Sequence, residues 1–413
     1  MARPNKHRSL KNIDQMAMSI LASLFVLGVV LSQAAPAQTF SVLYNFDTGH
    51  GGNGANPQAG LTMDRGENLY GTASTGGTGL SGGVFKLSHR GSGWIYSPLY
   101  LFSGGSDGGD PEARVIIGPN GSLYGTTKSG GSGRGGTVFN LQPPVGVCKT
   151  VSCPWRETVL YNFSGPDGSG PVSEVVFDQT GNLYGTTAYG GTNDYGVAYE
   201  LTPSGNGWTE SVMYAFGGGT IGYHPSQGFV LDGAGSLYST AGEEFNGSVY
   251  QLSLSLLGWT ANAIFTPQGG DEGLYPGGGV IFDTSGNLYG STGLAGAHNG
   301  GTVFKLTPSN GSWTPAVLYS FTPSQGPACY LVMDQAGNIY GTTYQSGAYN
   351  QGSVFKLTPG NGGWTYSDLH DFTGGADGSF PCSQLTLDAN GNIFGTAPYG
   401  GAYSGGVIFE ITP

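Results

Sequence analysis

The stretch Gly181-Asn182-Leu183-Tyr184-Gly185-Thr186-Thr187 returns along the chain in close variants. Its aromatic position falls at Tyr70, Tyr124, Tyr184, Tyr238, Tyr289, Tyr340 and Phe394, at intervals of 51 to 60 residues. Such self-similarity marks a repeat architecture, in which each unit buries its apolar face by stacking on its neighbours. A proline stands 13 residues before the aromatic in every repeat, from Pro57 ahead of Tyr70 to Pro381 ahead of Phe394. That constancy suits a hairpin whose register is pinned by its turn.

The remaining segments keep a fixed order. The proline opens an apolar stretch that ends in Asp, read as a strand over 57–64 in the first repeat. A turn follows, as in Asp178-Gln179-Thr180-Gly181-Asn182, where the Asp side chain can accept backbone N–H bonds and Gly and Asn tolerate positive φ. A calcium site is the alternative reading of this turn. The alternating oxygens and distal Glu of an EF-hand are missing, and Gly118 replaces the Asp in the second repeat. The third strand lies 15 residues past the aromatic in all repeats but the fourth, where Tyr238 to Tyr250 is 12. The fourth strand runs from a Trp to a Phe, as from Trp208 to Phe216, and all six tryptophans occupy this position. Packing between neighbouring sheets is the expected role for them, ahead of sugar stacking.

Seven four-stranded units predict an all-β, seven-bladed propeller. The last repeat supplies three strands over 381–413, while an extra strand with the same pattern stands at 39–46. Pairing the two would complete the seventh blade and leave only short, protected edges. A β-solenoid is the rival architecture, but its coils are shorter than this period.

Composition sets the cellular address and narrows the partners. Glycine supplies 78 of 413 residues and charged residues only 10%, while Tyr, Phe and Trp reach 12%, too high and too regular for a disordered chain. A net charge of -12 argues against nucleic acid or an anionic membrane and leaves a neutral polysaccharide, a cation or a surface protein as partner. Basic residues ahead of an apolar run over 16–31, then Ala35-Pro36-Ala37, read as a signal peptide over 1–37. The mature domain, 38–413, is expected to be an extracellular or periplasmic monomer, free of the membrane once the signal is cleaved. Disulfides are expected between Cys148 and Cys153, which sit in one inserted loop, and between Cys329 and Cys382, at near-equivalent places in successive repeats.

The segments 181–187, 301–308 (Gly-Thr-Val-Phe-Lys-Leu-Thr-Pro) and 42–46 (Val-Leu-Tyr-Asn-Phe) together resemble the GloVer tandem repeat, across essentially the whole mature chain. The resemblance implies an exported bacterial protein of the "choice-of-anchor" kind, in which the array is paired with varied C-terminal sorting segments. It brings no catalytic residues. The chain stops at Pro413 without a hydrophobic or basic tail, so release rather than anchoring is expected. The proline-led strand and its hairpin are also similar to NHL-type propellers, which implies that this strand lies nearest the axis.

Function on a propeller is expected in variable loops held by the frame. Here those are the glycine-rich loops between strands two and three, together with the loops between blades. The fourth repeat departs most from the pattern, with Tyr223-His224 before its inner strand and Glu243-Glu244 after its second. The fifth adds Asp271, Glu272, Tyr275 and His298. These eight residues are the candidate ligand-binding sector. Within it Glu243, Glu244, Asp271 and His224 are candidates for acid–base work on a glycosidic bond, and the carboxylates are equally candidates for a divalent cation such as calcium. Three readings follow: a binding module for extracellular glycans or surface proteins, a glycoside hydrolase or polysaccharide lyase, and a purely structural envelope protein. No phosphate-binding loop, zinc spacing or Gly-x-Ser-x-Gly elbow is present.

Overall fold

The computed structural model describes residues 38–48, 54–77, 79–91, 93–144, 155–205, 207–243, 246–326 and 328–413. The expected signal peptide, Cys148, Cys153 and Glu244 lie outside the described residues, as does the side chain of Glu243. Among the described residues, backbone hydrogen bonds sort 28 strands into seven four-stranded antiparallel sheets. Blade three is representative, a meander of Val176–Phe177, Leu183–Thr187, Val197–Ser204 and Gly207–Ala215. Blades are numbered by the motif aromatic, from Tyr70 in blade one to Phe394 in blade seven. Thr39–Asp47 pairs with Ser404–Thr412, which continues through Ile393–Ala397 to Thr386–Leu387. Blade seven is therefore built from both ends of the chain, and the seven-bladed propeller is closed.

Each letter of the repeated motif has a distinct physical role. The leucine, such as Leu183, is fully buried beside Phe163 and Tyr199. The tyrosine donates its hydroxyl to the turn carboxylate, as Tyr184 does to Asp178 Oδ2 at 3.1 Å. The glycine leaves room for an aromatic ring on the third strand: a Cβ on Gly290 would lie 2.5 Å from the tip of Phe304. The threonine reaches the next blade. Thr72 donates to Ala113 O, Thr126 to Ser173 O, Thr342 to Ser383 O and, across the closing seam, Thr396 to Ala59 O.

Aromatic pairs repeat this logic between blades. The Phe that ends each outer strand meets the third-strand aromatic of the next blade, as in Phe102 with Phe139 (5.1 Å between ring centroids), Phe163 with Tyr199 (4.9 Å) and Phe321 with Phe355 (5.1 Å). The same contact closes the ring through Phe46 and Phe85 at 5.4 Å. Such pairs contribute about 0.5–1.5 kcal/mol each beyond the area they bury. Tryptophans pack edge-on against the preceding blade, Trp155 on Tyr70, Trp259 on Tyr184 and Trp94 on Phe394, as the sequence predicts.

The inner strands differ from expectation. In five blades only the last two residues pair with the second strand, as in Val176–Phe177. The reason lies in the backbone groups that open the strand. The opening proline has no N–H to give, and the carbonyl two residues later is engaged by the threonine of the preceding blade instead of by its own sheet. The longer inner strands of blades five and six, Leu274–Phe282 and Ala328–Met333, pair through an irregular register instead.

Candidate functional site

The turn carboxylates are occupied by their own turns. Asp334 Oδ1 accepts the N–H groups of Ala336 and Asn338 at 2.9 Å each, while Oδ2 accepts Asn338 Nδ2 and the Tyr340 hydroxyl. Burial alone would raise its pKa, yet these donors outweigh burial and hold it below the ordinary carboxylate value. In blade two a Cβ at Gly118 would meet the Tyr124 ring at 2.3 Å, so the tyrosine takes the space of the missing carboxylate. On the opposite face, Asp107 and Asp167 likewise pin their loops. They accept Tyr100 and Tyr161 hydroxyls and the backbone N–H of Ser103 and Ser164.

The candidate sector of blades four and five divides. His224 has φ of 50° and its Nδ1 lies 2.6 Å from the carbonyl of Ala188 in blade three. The contact requires an Nδ1–H donor. Asn56 stands at the same place in blade one and donates Nδ2 to Pro398 O at 3.2 Å, so this is a recurring latch between blades. The His224 ring packs on Tyr189 (5.0 Å) and Tyr223 (5.2 Å), and Tyr223 on Tyr195 (5.4 Å). Tyr275 occupies the equivalent position in blade five, with φ of 70°.

The acidic members lie elsewhere. Asp271 and Glu272 sit on the short 3-10 turn Gly270–Glu272, where Glu272 Oε2 accepts Gln268 N at 3.2 Å. His298 is exposed, with Nδ1 3.3 Å from Ser320 O. Glu243 ends the second strand of blade four, its backbone paired with Asn246. Among the described residues no hydrogen bond or ion pair joins Asp271 or Glu272 to either histidine, and no group of three His, Cys, Asp or Glu side chains converges as a metal site. Cys329 and Cys382 form the expected disulfide, with Cα atoms 5.3 Å apart, tying the inner strands of blades six and seven.

Two further features stand out. The first is a set of exposed tyrosines paired on the loops between strands two and three. Blade three carries Tyr189 and Tyr195, blade six Tyr344 and Tyr349, and blade seven Tyr399 and Tyr403, all 40–60% exposed. Bridges between Ser169 and Tyr189 and between Ser379 and Tyr399 bring the inter-blade loops to the same face. Phe380, held at φ of 58°, packs between Tyr344 and Tyr399 as His224 packs between Tyr189 and Tyr195.

The second feature lies on the axis. Three residues after the inner-strand proline, the blades present Gly60, Arg114, Glu174, Gly228, Gly279, Tyr330 and Gln384. Arg114 Nε donates to Glu174 Oε2 at 2.6 Å. Beside them Tyr330 is pushed up to about 12, by burial first and then by the Glu174 charge. Arg114, Glu174, Tyr330 and Gln384 line both a narrow recess of about 50 Å³ and a wider, open chamber of about 540 Å³ that reaches the Asp-turn end of the inner strands. The only signal in the sequence was that this position varies in an otherwise regular array.

Comparison with known proteins agrees with this architecture. The model of the Gloeobacter/Verrucomicrobia repeat matches residues 22–240, 150–328 and 239–413. Among solved structures, the extracellular domain of a candidate one-component system from B. thetaiotaomicron superposes with a TM-score of 0.53 at 11% identity, over 90% of this chain and 40% of that one. A candidate 6-phosphogluconolactonase from Bacteroides uniformis gives 0.50 at 12% identity, over 82% of this chain and 90% of the other. Likeness at such identity shows the propeller fold alone. No curated protein matches the sequence. Since the overlapping matches take in every blade, the chain belongs to the Gloeobacter/Verrucomicrobia repeat family.

Proposed function

We propose that this protein is an exported binding module whose tyrosine-bearing loop face holds neutral extracellular polysaccharide. The observation that carries the reading is the pairing of exposed tyrosines on the loops of blades three, six and seven. Exposed aromatic side chains gathered on one face of a rigid frame mark a recognition surface more often than chance. Their rings offer apolar faces to sugar C–H groups and their hydroxyls offer hydrogen bonds, an amphipathic pairing suited to a polyhydroxyl chain. Few positive charges surround them, which disfavours polyanions.

The test is a panel of cellulose, xylan, mannan, starch and pectate, scored both for retention of the mature protein and for release of reducing ends or unsaturated products. Retention on a neutral polymer should weaken about tenfold in Tyr189→Ala and in Tyr399→Ala, the cost of one stacking contact. Retention on pectate alone, or retention that survives both substitutions, would sink the reading. Product release that vanishes in Glu243→Gln would favour a carbohydrate-active enzyme in its place.

A further inference from the structure

The axial chamber is independent of the tyrosine face and has the makings of a small-molecule site. Its sides are apolar, formed by Ile116, Val176, Val230 and Ile281. Its polar end holds the Arg114–Glu174 pair, Tyr330 and Gln384. Blade five contributes Gly277-Gly278-Gly279 where the other blades carry at most one glycine, and this bulge is where its inner strand slips register. The glycines widen the chamber on that side.

One buried polar atom is orphaned on the chamber wall. Gln227 is 9% exposed and its Oε1 has no hydrogen-bond partner. It lies 3.8 Å from where a Cβ on Gly279 would be, on the chamber wall. A buried acceptor left without a donor is destabilising, and a donor from a bound molecule would relieve it.

We propose that this chamber binds a neutral polyhydroxyl molecule of monosaccharide size, which enters from the Asp-turn face and gives a hydroxyl hydrogen to Gln227. The volume falls within the range of ordinary ligand sites, and apolar walls with a few convergent polar groups are their usual make-up. Arg114 and Glu174 neutralise each other, so the site carries no net charge with which to select an ion. Hydroxyl groups can donate to Glu174 and Gln227 and accept from Tyr330 and Gln384 without breaking the ion pair. The pyranose ring's C–H edges then face the isoleucine and valine walls.

Calorimetric titration of the mature protein with D-glucose, D-glucuronate and D-glucosamine tests this. Saturable binding of glucose is expected, weakened about tenfold or more by Gln227→Leu and by Tyr330→Phe, each of which removes one hydrogen bond. The exposed control Leu256→Ser should bind as the parent does. Using two chamber variants keeps the test open should one fail to fold. The absence of saturable heat with all three sugars, preference for either charged sugar, or binding untouched by both chamber variants would overturn the proposal.

Discussion

At Gly290 a methyl group would meet the buried Phe304 ring at 2.5 Å, and that ring is already held by Phe265 at 5.0 Å. Neither neighbour has space to yield. The same collision recurs at Gly71 against Phe85 and at Gly395 against Phe409, so the motif's glycine is a packing requirement and not a turn signal. Gly290→Ala should therefore lose about 2–3 kcal/mol, the usual cost of overpacking a filled core. Gly207→Ala is the contrast, since a Cβ there meets nothing within 4 Å. Guanidinium unfolding of both variants should show a large loss in the first and almost none in the second. Equal effects would mean that the aromatic latch tolerates crowding. Blade four shows how a departure is accommodated: Ser239 replaces the glycine opposite Tyr250, and its hydroxyl turns to Gln227 O at 3.2 Å and Gly228 O at 3.0 Å.

Outer strands meet side by side around the rim, and what they place there varies. Tyr44 stacks on Tyr96 (4.1 Å) and Tyr319 on Tyr366 (5.6 Å). Blades two and three instead set Glu157 and Glu210 opposite Leu141 and Leu201. Each glutamate has one buried oxygen without a partner. Burial first, then Asp107 or Asp167, pushes each up to about 7 from 4.5. A folded pKa above the unfolded one means the folded state binds the proton more tightly. That stabilisation is complete below 4.5 and is lost as pH rises through about 7. At about pH 8 the double variant Glu157→Gln, Glu210→Gln should exceed the parent by about 1–2 kcal/mol once solvent screening is allowed for, and the two should converge near pH 5. Melting curves at both pH values decide it, and a parent-like alkaline decline in the double variant would refute it. These strands also show what could be read in advance. The blade count, the tryptophan packing and the ring closure rest on local patterns repeated around the array, so each was legible from spacing alone. The glutamates and the axial Arg114, Glu174, Gln227 and Tyr330 sit in columns whose members differ from blade to blade. They come into view only when equivalent positions are stacked in space. The place of His224 becomes legible in the same way: its backbone position matches Asn56 and its ring nitrogen makes the same contact between blades.

Closure of the ring rests on one strand that arrives from the far end of the chain. On its inner flank Asn45 Oδ1 accepts Ala402 N at 2.8 Å. Phe40 stacks on His370 of blade six at 3.7 Å, and the fully buried Phe46 meets Phe85 of blade one. Blade seven is bound to blade six by the Cys329–Cys382 disulfide, a link of sequence separation 53 that is worth about 4 kcal/mol in the chain-entropy picture. Its covalent tie to blade one is the main chain itself, which runs on from Thr39–Asp47 toward Pro57, so the bond between blades at this seam depends on that strand staying docked. A chain lacking residues 38–48 would leave Ser404–Thr412 as an unpaired edge, a template for pairing with other copies. It would also forfeit the burial of Phe46, a loss of about 3–5 kcal/mol if truncation to alanine is a guide. The shortened protein should melt lower and self-associate in light scattering. A synthetic peptide of residues 38–48 added in trans should restore both the melting temperature and the monomer, whereas the same peptide carrying Phe46→Ala should not. A shortened chain that stays monomeric and melts with the parent would show that blade seven is complete with three strands, and that the circle is held by the inner threonines alone.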